Sequence, residues 1–275
     1  MLSSGRERAH YAVAVTEAPT LQLVGGPTAV ITYGGLRILT DPTFDPPGDY
    51  PRPGTAVVLH KLAGPAVAVD EVLPIDVVLI SHDHHSDNLD NSGRAMLSHA
   101  SRVLTTGAGA ERLGGSATGL APGESVTLER EGRAPVTVTA VRADHGPPEV
   151  ASLNGPVIGF VLRADALPTI YVSGDNASVD VVEEIVAAEG PIDLAVLFIG
   201  GANVPEAWGE AMLTLTAQTA VEAARLLDRA PIVPIHQDGW AHFTSSAADV
   251  ARAFAQAGLS DRLRAVSPGQ RIELA

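Results

Sequence analysis

The chain has 275 residues, 45% of them hydrophobic, and no cysteine. That length can bury a substantial core, and the missing thiols exclude disulfides, thiolate metal sites and a cysteine nucleophile. A formal net charge of −14 disfavours nucleic acid and anionic membranes as main partners, although a bound divalent cation would reverse that field locally for a small substrate.

Residues 1–18 read as an N-terminal extension, with an edge strand as one option. Their apolar stretch, Tyr11 to Val15, is too short for a signal-peptide core. No run approaches the ~18–20 apolar residues of a bilayer span, so a cytoplasmic protein is expected. Short apolar runs at 21–24, 28–32 and 36–39 are predicted strands, separated by the turns Gly25-Gly26-Pro27 and Gly34-Gly35. Residues 45–53, rich in Pro, Gly and Asp, read as a loop. The continuous run Val77-Val78-Leu79-Ile80 is predicted as a strand covered on both faces. Further strands are expected at 103–105, 125–128, 136–141, 157–162 and 169–172; the period-two alternation of 136–141 implies one wetter face.

From there helices and strands alternate. A helix is predicted over 179–188 and a buried strand over 194–199. Thr216 can cap a helix with the stripe Ala220, Val221, Ala224 and Leu227. A strand at 232–235 follows, and then a helix capped by Ser246, carrying Val250, Phe254 and Ala257 and closed by Gly258. The segment Pro74-Ile75-Asp76-Val77-Val78 resembles Pro191-Ile192-Asp193-Leu194-Ala195. Two buried strands could share such text by composition alone, and a two-fold αβ repeat would also produce it. The pattern predicts one α/β domain over 1–275, a four-layer αββα sandwich of two packed sheets with helices outside.

The densest chemical feature is Ser81-His82-Asp83-His84-His85-Ser86-Asp87-Asn88-Leu89-Asp90, with three His and three Asp within nine residues directly after a buried strand. A strand end is a rigid platform, and imidazole with carboxylate is a natural ligand set for a borderline divalent ion. Three more apolar runs end on a potential ligand: His145, Asp175 and His236. Singly each is unremarkable; together they imply several strands delivering N and O donors to one edge.

In this order of residues the chain resembles the metallo-β-lactamase superfamily, whose hallmark is His-x-His-x-Asp-His after a strand, followed by distal His, Asp and His. Ile38-Leu39-Thr40-Asp41-Pro42, Ser173-Gly174-Asp175 and Val233-Pro234-Ile235-His236 further resemble its branch similar to ascorbate-6-phosphate lactonase. The resemblance spans about residues 20–270. It implies one metal on His82, His84 and His145, a second on Asp87 and His236, and a bridging Asp175. The spacing departs from the family's: two residues, His85 and Ser86, separate His84 from Asp87, and Asn88 stands where the family has its last His. A gapless alternative uses Asp83 and His85 instead. Either way the second site lacks its usual imidazole, so one or two ions can be envisaged, with zinc first and manganese or iron as alternatives.

The resemblance implies a hydrolase of a small ester, lactone, amide or phosphoester, with metal-activated water, Asp87 as the proton shuttle, and His242 as a candidate acid. Trp240, in the loop after the last ligand, is a candidate substrate contact; plain packing of that loop is the alternative. A nuclease or phosphodiesterase, and a non-hydrolytic di-iron or sensor protein, are the competing readings. The expected partner is a small molecule, with homo-oligomerisation left open.

Overall fold

The computed structural model describes residues 17–274. The edge strand considered for the N-terminal extension falls, up to residue 16, outside the described residues, and residues 17–19 have no regular structure.

Two sheets make the framework. The first has seven strands in the order Arg271–Glu273, Thr20–Gly25, Thr28–Tyr33, Leu36–Thr40, Ile75–Leu79, Ala100–Thr106 and Ala117–Leu120. The second has six, in the order Ile232–Ile235, Leu194–Phe198, Ile170–Val172, Val157–Arg163, Val136–Ala143 and Ser125–Leu128. Their inner faces bury one apolar layer, in which Leu21, Ile31, Ile38 and Leu79 join Val138, Phe160, Val196 and Val233. Helices Val179–Glu189, Ala217–Leu226 and Ala247–Gln256 cover the outer face of the second sheet through Val182, Ile185, Ala220, Ala224, Val250 and Phe254. A smaller apolar layer built on Leu39, Val78, Ile80 and Met96 covers the outside of the first. This is the αββα layering expected from the sequence. Aromatics are too few to fill it, so aliphatic side chains supply most of the burial that drives folding.

The caps read from the sequence are in place. Thr216 accepts from Thr219 N and Ser246 from Asp249 N, each in a reciprocal capping box. Five helices are not anticipated from the sequence: the four-residue Val69–Val72 and Pro205–Trp208, and three longer ones, Asn91–Met96, Gly107–Leu113 and Pro148–Asn154. The longer three are six or seven residues long and carry no apolar stripe of helical period. The alternating strand Val136–Ala143 is wetter on one side only in part. Val136, Val138 and Ala140 face the core and Arg142 is exposed, but Val141 packs beneath the outer helices.

The short internal echo has a structural counterpart. Strand Ile75–Leu79 lies parallel to Leu36–Thr40, and Leu194–Phe198 lies parallel to Ile170–Val172 in the other sheet. Asp76 Oδ2 accepts the N–H of Arg37 at 2.8 Å, and Asp193 Oδ2 accepts the N–H of Thr169 at 2.7 Å. Ile38 pairs with Val77 and Ile170 with Leu194, so each Asp does the same job one residue before the first matched pair of its ladder. Each sheet also runs antiparallel, antiparallel, parallel, parallel across the corresponding strands. The repeat therefore extends to topology, and Asp41 and Asp175 follow corresponding strands.

Candidate metal centre

Residues 81–90 leave the strand Ile75–Leu79 at one edge of the sandwich. Their start is fixed by Asp41, whose Oδ1 accepts from Ser81 N at 2.6 Å. Ser81 Oγ lies 2.9 Å from His82 Nδ1, which turns His82 Nε2 to within 2.8 Å of His85 Nδ1. His145, two residues beyond strand Val136–Ala143, brings its Nε2 to 3.2 Å from the same His85 atom. On its far side His145 Nδ1 is 2.7 Å from Leu213 O. A carbonyl only accepts, so Nδ1 carries a proton and Nε2 is the nitrogen turned inward.

His82, His85 and His145 are all buried, and their inward nitrogens lie within 4.8 Å of one another. A tetrahedral ion with Zn–N bonds of ~2.0–2.1 Å sets its ligand atoms about 3.3 Å apart, close to these separations. Burial, reinforced by the neighbouring imidazoles, pushes His82 and His85 well below the ordinary histidine pKa. Both are therefore neutral, the form that ligates. Around them, His85 Nε2, Asp175 Oδ2 and both ring nitrogens of His236 are buried without a hydrogen-bond partner. Such orphans are rare in folded proteins, and a cation among them would supply what they lack. The residues present thus fit a bound metal ion.

The triad differs from the set that the family pattern implied. His84 is not brought into it: its Nε2 lies 2.7 Å from Asn154 O and its ring packs on its neighbours' edges. The alternative ligand Asp83 is also elsewhere. It takes a bidentate pair from Arg112, with Nε to Oδ2 at 2.9 Å, and its own carbonyl accepts from Arg94 at 3.0 Å. Asp83 thus points away from the triad, and it is His85, through Nδ1, that lies 2.8 Å from His82 Nε2.

Asp87, Asp175 and His236 form the other half. Asp87 Oδ2 is 3.0 Å from His242 Nε2 and 3.7 Å from His236 Nε2. Burial alone would raise the Asp87 pKa, but the His242 hydrogen bond and the fields of His242 and His236 hold it far below the carboxylate range. Asp175 Oδ1 accepts from Asn88 Nδ2 at 3.1 Å and lies 3.1 Å from His236 Nδ1, out of line for a hydrogen bond. Its Oδ2 is 3.7 Å from His145 Nδ1, so Asp175 touches both halves. Burial works to lower the His236 pKa, yet Asp175, Asp87 and Asp41 together raise it. His236 also holds φ at +55°, a left-handed conformation unusual for a non-glycine and typical of strained functional sites.

Trp240 does not line the pocket over the triad. It is 3% exposed, edge-on to Tyr50 at 5.6 Å with Lys61 Nζ 5.4 Å from its ring centre, so it supports the pocket wall from behind. The pocket itself is walled by Val57, Leu59, Val204 and Leu213, with Arg52 and His242 as polar groups. It opens into an outer cleft of about 450 Å3 that shares Val57, Leu59, Val204 and His242. Sequence reasoning passed over Arg52, Asn154 and Lys61. Lys61 was traceable only as an isolated cation among apolar residues; it donates to Asp90 at 3.0 Å, and both side chains are buried.

An αββα sandwich whose strand ends gather a buried histidine triad and two buried carboxylates is a scaffold able to hold a metal ion. Residues 36–237 match the beta-lactamase superfamily domain, and the chain belongs to the metallo-β-lactamase superfamily. It is 29% identical over 205 residues to an uncharacterized protein of Mycobacterium tuberculosis, a match covering 72% of this chain and 52% of the relative, so the chain spans about half the length of that relative. It is 26% identical over 254 residues to a protein of Pyrococcus furiosus named a metal-dependent hydrolase, covering 90% of this chain and 97% of the relative. The crystal structure of a possible metal-dependent hydrolase from Veillonella parvula shares the fold at a TM-score of 0.79 and 19% identity, covering 94% of this chain and all of the other. Among the described residues, no helix is long and apolar enough to cross a membrane.

Proposed function

We propose that the chain is a metal-dependent hydrolase that adds water to a small ester, lactone, amide or phosphoester. The observation that carries this reading is the convergence of His82, His85 and His145 beside buried, unpartnered atoms of Asp175 and His236. His82, His85 and His145 would hold one ion, zinc being favoured by three imidazole donors, with manganese or iron as alternatives. When bound, a divalent cation supplies Lewis acidity that makes water nucleophilic near neutral pH. Asp87, kept ionised by His242 and His236, would orient a water beside the triad and relay its proton toward His242. His242, bonded to Asp87 and lining both pocket and cleft, returns a proton to the leaving group. Asp175 and His236 would offer their unpartnered buried atoms to a second ion or, with one ion, to the substrate.

The test is turnover of a panel of lactone, thioester, amide and phosphodiester substrates before and after metal removal. Chelation abolishes hydrolysis and zinc or manganese restores it. Undiminished hydrolysis by the stripped protein would sink the reading.

A further inference from the structure

Arg52 is a cation without a salt bridge among the described residues, although the ionised Asp87 faces the same pocket. It sits between the strands Gly48–Pro51 and Val58–Lys61 and lines the same pocket as His85, Asp87 and His145. Among the described residues its side chain makes one hydrogen bond, Nη2 to Asn154 Oδ1 at 3.2 Å, and no salt bridge. A guanidinium has five N–H donors, so most of its capacity is unspent at the pocket wall. Burial lowers its pKa, and Asp87 works in the opposite direction without touching it. Asn154 fixes the guanidinium where it stands, because the same residue's carbonyl oxygen is within hydrogen-bond distance of His84 Nε2. The rest of the wall is apolar: Val57, Leu59, Val204, Trp208 and Leu213. An anion would not settle in the outer cleft, which carries Glu206, and the chain as a whole repels it with a net charge of −14. Within the pocket Arg52 offsets Asp87, and its unused N–H groups are the donors an anionic group would meet.

We infer that Arg52 anchors a carboxylate carried by the substrate, and that the substrate is a compact apolar molecule bearing that carboxylate near its scissile bond. The inference rests on the hydrolase reading for what is cleaved, but the anchoring itself can be measured by binding alone. Arg52 grips a planar carboxylate through two parallel N–H groups at the mouth of the inner pocket, the hydrocarbon runs out along Val57, Leu59 and Val204 into the outer cleft, and the scissile group is left facing the triad.

The experiment is calorimetric titration of the metal-loaded protein with hexanoate and with hexanamide, its neutral isostere. Wild type binds hexanoate about ten- to a hundredfold more tightly than hexanamide, as expected of a charge-assisted hydrogen bond. Arg52→Gln removes that preference while keeping its metal and its hexanamide affinity, and Arg52→Lys retains part of it. Full preference for hexanoate in Arg52→Gln would place the carboxylate on the metal and overturn the proposal, as would no preference in wild type. Protein that passes this test and hydrolyses nothing on the panel would refute the hydrolase reading and leave the anchor standing.

Discussion

The two stretches that meet at the site, residues 81–90 and 236–243, both follow buried strands but are held in different ways. The first is pinned at nearly every non-ligand residue. Asp41 holds Ser81, Arg112 holds Asp83, and Asp90 accepts from Gly93 N, Asp45 N and Lys61. The helix it enters packs so tightly on the 41–42 turn that a Cβ at Gly93 would come within 1.8 Å of Pro42 O. The second stretch begins with strain at His236 and is held mostly through its backbone, by Gly26, His60 and Leu62; both stretches leave buried atoms without partners, those of His84, His85 and Asn88 in the first and of His236, Gln237 and His242 in the second. Ligand nitrogens must be positioned before an ion arrives, so their loop is over-determined. Proton-handling groups need a polarised setting more than a rigid one, and the second loop provides that.

If that contrast is right, damage to each stretch reads out differently. The largest effect is expected at Asp87, where the two meet: Asp87→Asn lowers turnover by about 10²- to 10⁴-fold while metal content is retained, measured by steady-state kinetics beside elemental analysis. Loss of the metal together with activity would show that Asp87 belongs to the ligand set. Next comes the rigid side. Lys61→Met leaves the Asp90 carboxylate buried without its cation and costs about 3–5 kcal/mol of stability, read from urea denaturation midpoints. A change within the error of the fit would mean that backbone donors alone hold Asp90. The smallest effect concerns acid. Burial would raise the Asp45 pKa, but four hydrogen bonds from Ser92 and Asn91 hold it below its ordinary value. A depressed carboxylate contributes stability above its unfolded pKa and loses it as pH falls through the folded one. Asp45→Asn should therefore flatten the acid limb of the stability curve below pH ~4, and an unchanged limb would contradict this.

Much of this site is legible in the sequence because apolar runs end on polar residues. Strand ends at 80, 172 and 235 are read directly from Val, Ile and Leu content, and His82, Asp87, Asp175, His236 and His242 do meet at one edge. The choice between His84 and His85 is not legible. In the fold Asp83 pairs with Arg112, 29 residues away, and His84 lies against Asn154 O, which leaves His85 beside His82. No local spacing records those contacts. Arg52 is hidden for a similar reason: one Arg in a Pro- and Gly-rich loop looks like a solvated turn until the fold lays it over the triad. Asn154 and Leu213, which orient Arg52 and His145, act through a helix without an apolar stripe and a backbone carbonyl. The internal echo was readable as text, but only the matched hydrogen bonds of Asp76 and Asp193 distinguish a repeat from shared composition.

The central claim is that the ion rests on an imidazole three residues after His82, not two. Elemental analysis of His85→Ala beside His84→Ala, both purified identically, tests it most directly. The account predicts that His84→Ala keeps the wild-type metal content and His85→Ala loses it. A metal-free His84→Ala with a fully loaded His85→Ala would contradict it.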